Sequence, residues 1–221
     1  MAHPPPPANP NSLAGRSFWG SLYSLSGTSQ DSLLFVSDSF VFYGDASDEA
    51  WQDGAVAPTC AAVTEECRPY TYDAKTNALT IGGVPAELQP RAVTYDGRTY
   101  GEYGAPPAGS RFDTIVTYVN SSGLCPMYCT YYREDLTFLP DGTFIRGAVV
   151  SGTGPVVDFA SVPADRKGTY EIRPDKTILL AFADGSQRVR TIALAIKDDG
   201  TLAPAGDGMV LGGEGYFDIR D

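Results

Sequence analysis

The chain has a single histidine, His3, and it sits in a proline-rich leader, so the rest of the protein works without an imidazole. That excludes histidine general bases, Ser-His and Cys-His nucleophile pairs, and histidine-bearing zinc or iron sites. Long apolar runs are missing as well. None approaches the roughly 18 residues of a membrane helix, so no membrane insertion is expected. Basic residues are few, 16 against 27 acidic ones, which leaves a net charge of −11. Such a chain repels phosphate backbones and anionic headgroups, and nucleic acid is not an expected partner. Capped amphipathic helices are also lacking; only Ala46–Gln52 and Ala61–Glu66 could each form a single turn. The glycine pairs Gly82-Gly83 and Gly212-Gly213 follow strand-like segments but open no helix, so they cradle no phosphate and no cofactor is expected. The carboxylate groups (Asp45, Asp48 and Glu49; Glu65 and Glu66; Asp198 and Asp199) lack the alternating ligand pattern of a calcium loop, and no metal site is expected.

What the 221 residues do contain is glycine, tyrosine and β-branched residues in short alternating or apolar segments. Strand-like segments are Arg16–Leu25, Leu33–Tyr43, Pro69–Asp73, Ala78–Ile81, Arg111–Val119 and Tyr131–Phe138, then Thr143–Val150, Gly168–Arg173, Thr177–Phe182, Gln187–Ile196 and Gly208–Phe217. Turn signals separate them: YDGR at 95–98, LPDGTF at 139–144, ADGS at 183–186 and DDG at 198–200. The fold class is all-β, an antiparallel up-and-down meander. Two halves share one plan. LLFVSDSFVF (33–42) matches DLTFLPDGTFI (135–145), PYTYDAKTNALTI (69–81) matches GTYEIRPDKTILL (168–180), and LAGRSFWG (13–20) matches PAGSRFDT (107–114). The expected organisation is a leader at 1–12, a first half at 13–104 and a second at 105–221. Because a meander must hide its edges, the halves are expected to form one closed barrel of eight to ten strands or two small ones.

The second half, with LTFLPDGTF, GTYEI, TILLAFADGSQRVRTIALAI and MVLGGEGYF, resembles the lipocalin-like, calycin-type domains of secreted bacterial proteins. The resemblance implies an up-and-down barrel and carries no catalytic residues. The lipocalin opening Gly-x-Trp stands here in altered order, as Phe18-Trp19-Gly20.

The four cysteines, Cys60, Cys67, Cys125 and Cys129, fit no zinc spacing and no CxxC redox motif. Disulfides are the better reading and imply an oxidising compartment, hence a secreted or cell-surface protein. Three connectivities are open. The local one, Cys60–Cys67 with Cys125–Cys129, costs least in loop closure, and buried reduced cysteine is the alternative. Residues 1–12 show no signal peptide, and Pro4 to Asn11 read as a polyproline-type spacer.

Two candidate sites follow from residue type and strand parity. If Ile192, Leu194 and Ile196 face a barrel interior, Arg188 and Arg190 share that face and could fork an anionic ligand; a bulge or a hairpin end would instead leave them outside. Tyr128, Tyr131 and Tyr132 lie beside the CPMYC segment and could form a recognition loop, or be ordinary strand tyrosines. The leading functional expectation is a non-enzymatic, monomeric binding protein that holds a small amphipathic molecule in a barrel. A protein-interaction module using the Tyr/Cys loops is the alternative, and a histidine-free cyclase or isomerase a third. An apolar cavity of about 300–1,000 Å3 would mark a carrier, whereas a filled interior would mark an interaction module.

Overall fold

The computed structural model describes residues 11–24, 27–45, 58–124, 128–147 and 159–218; at 23–24, 27–28, 45, 121–124 and 128–131 the backbone alone is described. Strands β1 (Ser17–Ser24), β2 (Gly27–Phe35), β3 (Phe40–Asp45), β4 (Cys67–Asp73), β5 (Ala78–Ile81), β6 (Val84–Gln89), β7 (Ala92–Tyr95) and β8 (Arg98–Gly104) come from the first half of the chain. Each pairs antiparallel with the next, and β8 returns to β1 through Ser17↔Tyr103 and Trp19↔Gly101, closing an eight-stranded barrel. Strands β9 (Thr114–Leu124), β10 (Tyr128–Phe138), β11 (Thr143–Arg146), β12 (Lys167–Ile172), β13 (Thr177–Phe182), β14 (Gln187–Ala195), β15 (Met209–Leu211) and β16 (Glu214–Tyr216) repeat the order. Here the ring closes through the bridge Thr117↔Phe217, whose two N–H···O bonds measure 2.8 and 3.0 Å. The meander therefore forms two small barrels, and each of the matched sequence blocks occupies the same place in its own ring.

Four expectations need correction. Leu33–Tyr43 is two strands, broken where the Ser37 hydroxyl accepts from the Phe40 amide at 3.1 Å. Gly208–Phe217 is likewise a hairpin, because Gly212 and Gly213 both take positive φ (53° and 87°), the two-residue turn that matches strand twist. The segment 84–104, read from sequence only as a turn at 95–98, holds three strands. Its prolines suppressed the strand signal, yet Pro85 is tolerated. It opposes Thr80, and its missing N–H points to the side where β7 has already ended. Residues 61–66 form bends rather than a helical turn, with the Cys67 amide bonded to Thr64 Oγ1 at 2.8 Å; 46–52 lies outside the described residues.

Among the described residues, side chains pack into each interior, as an eight-stranded ring permits. Phe18, Leu33, Phe35, Tyr70, Ile81, Val93 and Tyr100 belong to the core of the first, and Val116, Phe138, Phe144, Tyr170, Ile178, Ile192 and Tyr216 to that of the second. One end of each ring is plugged in the same way. The segment entering β1 crosses the barrel end, and the Tyr70 hydroxyl accepts from the Leu13 amide at 3.0 Å while donating to the Ser37 carbonyl at 3.0 Å. In the second ring the Tyr170 hydroxyl accepts from the Phe112 amide at 2.7 Å and donates to the Leu139 carbonyl at 3.2 Å. Phe35 meets Tyr70 edge-on at 4.8 Å, and Phe138 meets Tyr170 edge-on at 5.0 Å. Beside the first plug, Glu102 is buried between Arg16 (2.6 Å) and Arg91 (2.9 Å). Burial raises its pKa, but the two guanidinium groups outweigh that and hold it below the ordinary value.

Outward-facing residues join the rings. Trp19, Leu34, Phe42, Cys67 and Tyr103 of the first pack with Ala193 and Val210 of the second. Strand β8 pairs with β14 at Leu194↔Gly104 and Ala195↔Tyr103, and β2 meets β9 at Gly27↔Ser122. The Cys60–Cys67 disulfide is formed and sits at this seam.

Two predictions follow. Replacing Tyr170 by Phe leaves the buried Phe112 amide without its acceptor and should cost about 1–3 kcal/mol by urea unfolding, as should Tyr70→Phe in the first ring; midpoints equal to wild type would refute the plug. Asp73, Asp141, Asp175, Asp184 and Asp199 cap turns. The Lys75 amide holds the first, and the hydroxyls of Thr143, Thr177, Ser186 and Thr201 hold the others, all below the ordinary value of 3.8. Their contribution is complete above that value and lost as pH falls through the lower folded values. Tm should thus hold near about pH 5 and drop below about pH 3.5, and a Tm flat down to about pH 2.5 would contradict the assignment.

Candidate functional site

The end of the second barrel opposite its plug carries polar side chains on the interior face. Strand parity places them there: Glu134 precedes Leu136 and Phe138 by two and four residues, Arg190 precedes Ile192 and Leu194, and Glu214 precedes Tyr216. The Tyr216 hydroxyl accepts from Arg190 Nη1 at 3.1 Å and donates to Glu134 Oε2 at 3.1 Å, with Glu214 Oε2 at 3.2 Å. Arg190 Nη2 donates to Glu214 Oε2 at 2.6 Å, and Arg146 Nε is bonded to Glu134 Oε1. Two guanidinium groups thus face two carboxylates. Burial drives the Tyr216 hydroxyl far above its ordinary pKa. It also raises Tyr118 to about 12, with the Glu214 charge adding to the effect. Neither phenol ionises near neutrality, so both act as hydrogen-bonding groups rather than bases.

Above this cluster the tyrosines form a ladder: Tyr216 to Tyr118 at 5.5 Å, then Tyr118 to Tyr132 at 5.8 Å. Asn120 donates to the Tyr118 hydroxyl at 2.8 Å. Tyr132 is 48% exposed at the top. Beside it lies an open depression of about 350 Å3, lined by Tyr132, Glu134 and Arg146 on the barrel side and by Asp165 and Arg166 across from them.

The sequence-derived candidates fall out as follows. Arg190 is interior and buried, and it is matched by Glu214; Arg188, two residues earlier on the same face, is exposed and stands apart from the cluster. The pair is not brought together as a clamp. Tyr132 lies on the rim, while Tyr128 and Tyr131 lie on β10 with side chains outside the described set. Cys125 lies outside the described residues and Cys129 is placed by its backbone only, so of the two disulfides the structure bears on Cys60–Cys67. Sequence reading missed Glu134, Arg146, Glu214, Tyr118 and Tyr216. The signal was available: the parity argument applied to Arg190, extended backward from Leu136 and Tyr216, puts a carboxylate on each apolar face.

Comparison with family models, curated proteins and solved structures finds no match for the chain. Among the described residues no helix is long and apolar enough to cross a membrane, and no group of three or more His, Cys, Asp or Glu could hold a metal ion.

Arg190→Met should leave the Glu214 carboxylate without its cation and cost about 3–5 kcal/mol, whereas exposed Arg188→Gln should stay within about 0.5 kcal/mol. Equal unfolding midpoints for the two variants would refute the buried network.

Proposed function

We propose that the protein is an extracellular, non-enzymatic recognition module whose binding surface is the rim of the second barrel and its β9–β10 hairpin. The observation that carries this reading is the contrast between packed interiors and a built rim. Aromatic and aliphatic side chains occupy both barrel cores, while the two longest strands, 11 residues each, outreach the four-residue β11 and three-residue β16 beside them. Tyr132 tops a ladder already fixed by Tyr118 and Tyr216, so it offers broad contact area at little ordering cost. The Cys60–Cys67 bridge supports an oxidising compartment and so secretion or surface display.

A second reading, a small amphipathic ligand, is favoured by the depression beside Tyr132, Glu134 and Arg146, whose phenol, carboxylate and guanidinium groups suit a molecule with one apolar and one polar face. It would be held at the rim rather than in the core.

Native mass spectrometry of the protein from its own source, paired with cross-linking, separates the two. A ligand-free mass together with a protein partner lost on Tyr132→Ala is the expected result. A discrete small mass released on denaturation, or a partner retained equally by the variant, would overturn the interaction reading.

A further inference from the structure

At the end opposite its plug, the first barrel holds a guanidinium with no carboxylate to match it. Strand parity builds this mouth. Arg68 precedes Tyr70 by two residues on β4, Val84 precedes Ala86 and Leu88 on β6, and Tyr95 follows Val93 on β7, so all three belong to the interior face. The Arg68 guanidinium lies over the Tyr43 ring at 4.3 Å, and it donates from Nη1 to the Tyr95 hydroxyl at 2.8 Å and from Nε to the Glu65 carbonyl at 3.0 Å. The Tyr95 hydroxyl in turn donates to the Ile81 carbonyl at 3.3 Å. The guanidinium is thus fixed in place, while its Nη2 bonds to no described residue and stays open to solvent.

Arg16, Arg91, Arg98 and Arg146, half-buried like Arg68, each meet a carboxylate, as does buried Arg190. Among the described residues Arg68 meets none. Asp31, at the same end, is taken by Arg98, and Glu65 offers Arg68 its backbone rather than its carboxylate. A second, independent observation lies beside it. An open depression of about 340 Å3 is lined by Arg68, Pro69 and Tyr95 together with Val63 and Val84, two apolar side chains exposed to 66% and 48%. The Cys60–Cys67 bridge closes the loop that carries Val63, which fixes that wall. Tyr95 belongs both to the lining and to the buried core, so the depression ends at the core rather than entering it.

We propose that the mouth of the first barrel captures the C-terminal residue of a partner protein, one with an aliphatic side chain. The terminal carboxylate would meet the free side of the Arg68 guanidinium. The side chain, which branches from the carbon that bears that carboxylate, would lie against Val63 and Val84. A free fatty acid carries its charge at the end of a long tail, and this shallow mouth would leave most of that tail in water. The rest of a protein partner leaves into solvent without that cost. The net charge of −11 acts against multiply charged anions such as phosphate and favours a partner that is basic outside its last residue. The site lies on the other barrel from the β9–β10 rim and stands apart from that reading.

The probe is a short fluorescein-labelled peptide with a lysine near its start and a valine at its free C-terminus, followed by anisotropy and by the methyl NMR signals of the full chain. The peptide should shift the Val63 and Val84 methyls, and the same peptide as its C-terminal amide should bind at least about tenfold more weakly. Arg68→Gln should weaken binding to a similar extent. Val84→Asp, at an exposed position and with Arg68 retained, should do the same at an unchanged urea midpoint, which keeps the test open if Arg68→Gln does not fold. Tyr132→Ala should leave peptide binding unchanged; a natural partner kept by that variant but lost from Arg68→Gln would uphold this site while refuting the rim. Unmoved Val63 and Val84 methyls, an amide bound as tightly as the acid, binding unaffected by Val84→Asp, or octanoate bound as tightly as the peptide would each overturn the proposal.

Discussion

A hydroxyl buried in a barrel core must find a donor and an acceptor, and a chain segment laid across a barrel end must find a partner for its amides. In this protein Tyr70 and Tyr170 meet both needs with one atom each. The phenolic oxygen takes the amide of the crossing segment and gives its proton to the carbonyl of the neighbouring hairpin turn. The crossing segment, the β2–β3 or β10–β11 turn and the fourth strand of the ring are thereby tied at a single point. Everything else at that end of the first barrel follows. With Leu13 fixed, Arg16 falls opposite Glu102, and Phe18 enters the core beside Phe35. The recurrence of this bond in both rings, with the same edge-on phenylalanine, is the strongest structural mark that they share one plan.

Closing one end in this way frees the other. The interior face at the open end needs no plug, and there the two rings part company. The second has filled the space with two matched ion pairs around Tyr216, while the first holds Arg68 against the Tyr43 ring and Tyr95 hydroxyl. Differences at the rims over a similar base are what two rings of one topology permit, because loops and strand ends tolerate change more readily than a core does. The outer walls were used differently again. Trp19, whose place one residue before Gly20 departs from the lipocalin order, faces outward; its indole donates to the Gly213 carbonyl at 3.3 Å, and its ring leaves no room for a side chain at Gly215.

Much of this was legible in the sequence, for physical reasons that differ from element to element. Ala78–Ile81 and Thr177–Phe182 were readable to the residue because alternation and flanking turn chemistry agree. The matched blocks were readable because Tyr70 and Tyr170, like Phe35 and Phe138, must keep their spacing from the turn to make the plug. Strands β6 to β8 were not, since proline is penalised as a residue type while its cost depends on where the lost N–H points. The rim was half-legible. Parity placed Arg190 inward, but its neutralisation by Glu214 comes from a strand 24 residues away, and pairing at that distance is set by ring closure rather than by local pattern.

The distribution of charge bears on how such a molecule meets a partner. The second barrel's rim is close to balanced, with Arg146 facing Glu134 and Arg190 facing Glu214, while much of the negative excess lies in exposed turns such as those of Asp141, Asp175, Asp184 and Asp199. The long-range field therefore repels anionic surfaces and draws basic ones, but contact at the proposed rim surface would rest on tyrosine area and oriented hydrogen bonds, which are screened far less by salt. A protein built this way can be selective in encounter and tolerant of ionic strength once bound. In the second barrel the other end is tied by the Tyr170 hydroxyl, which leaves the charges at the rim to pair with one another.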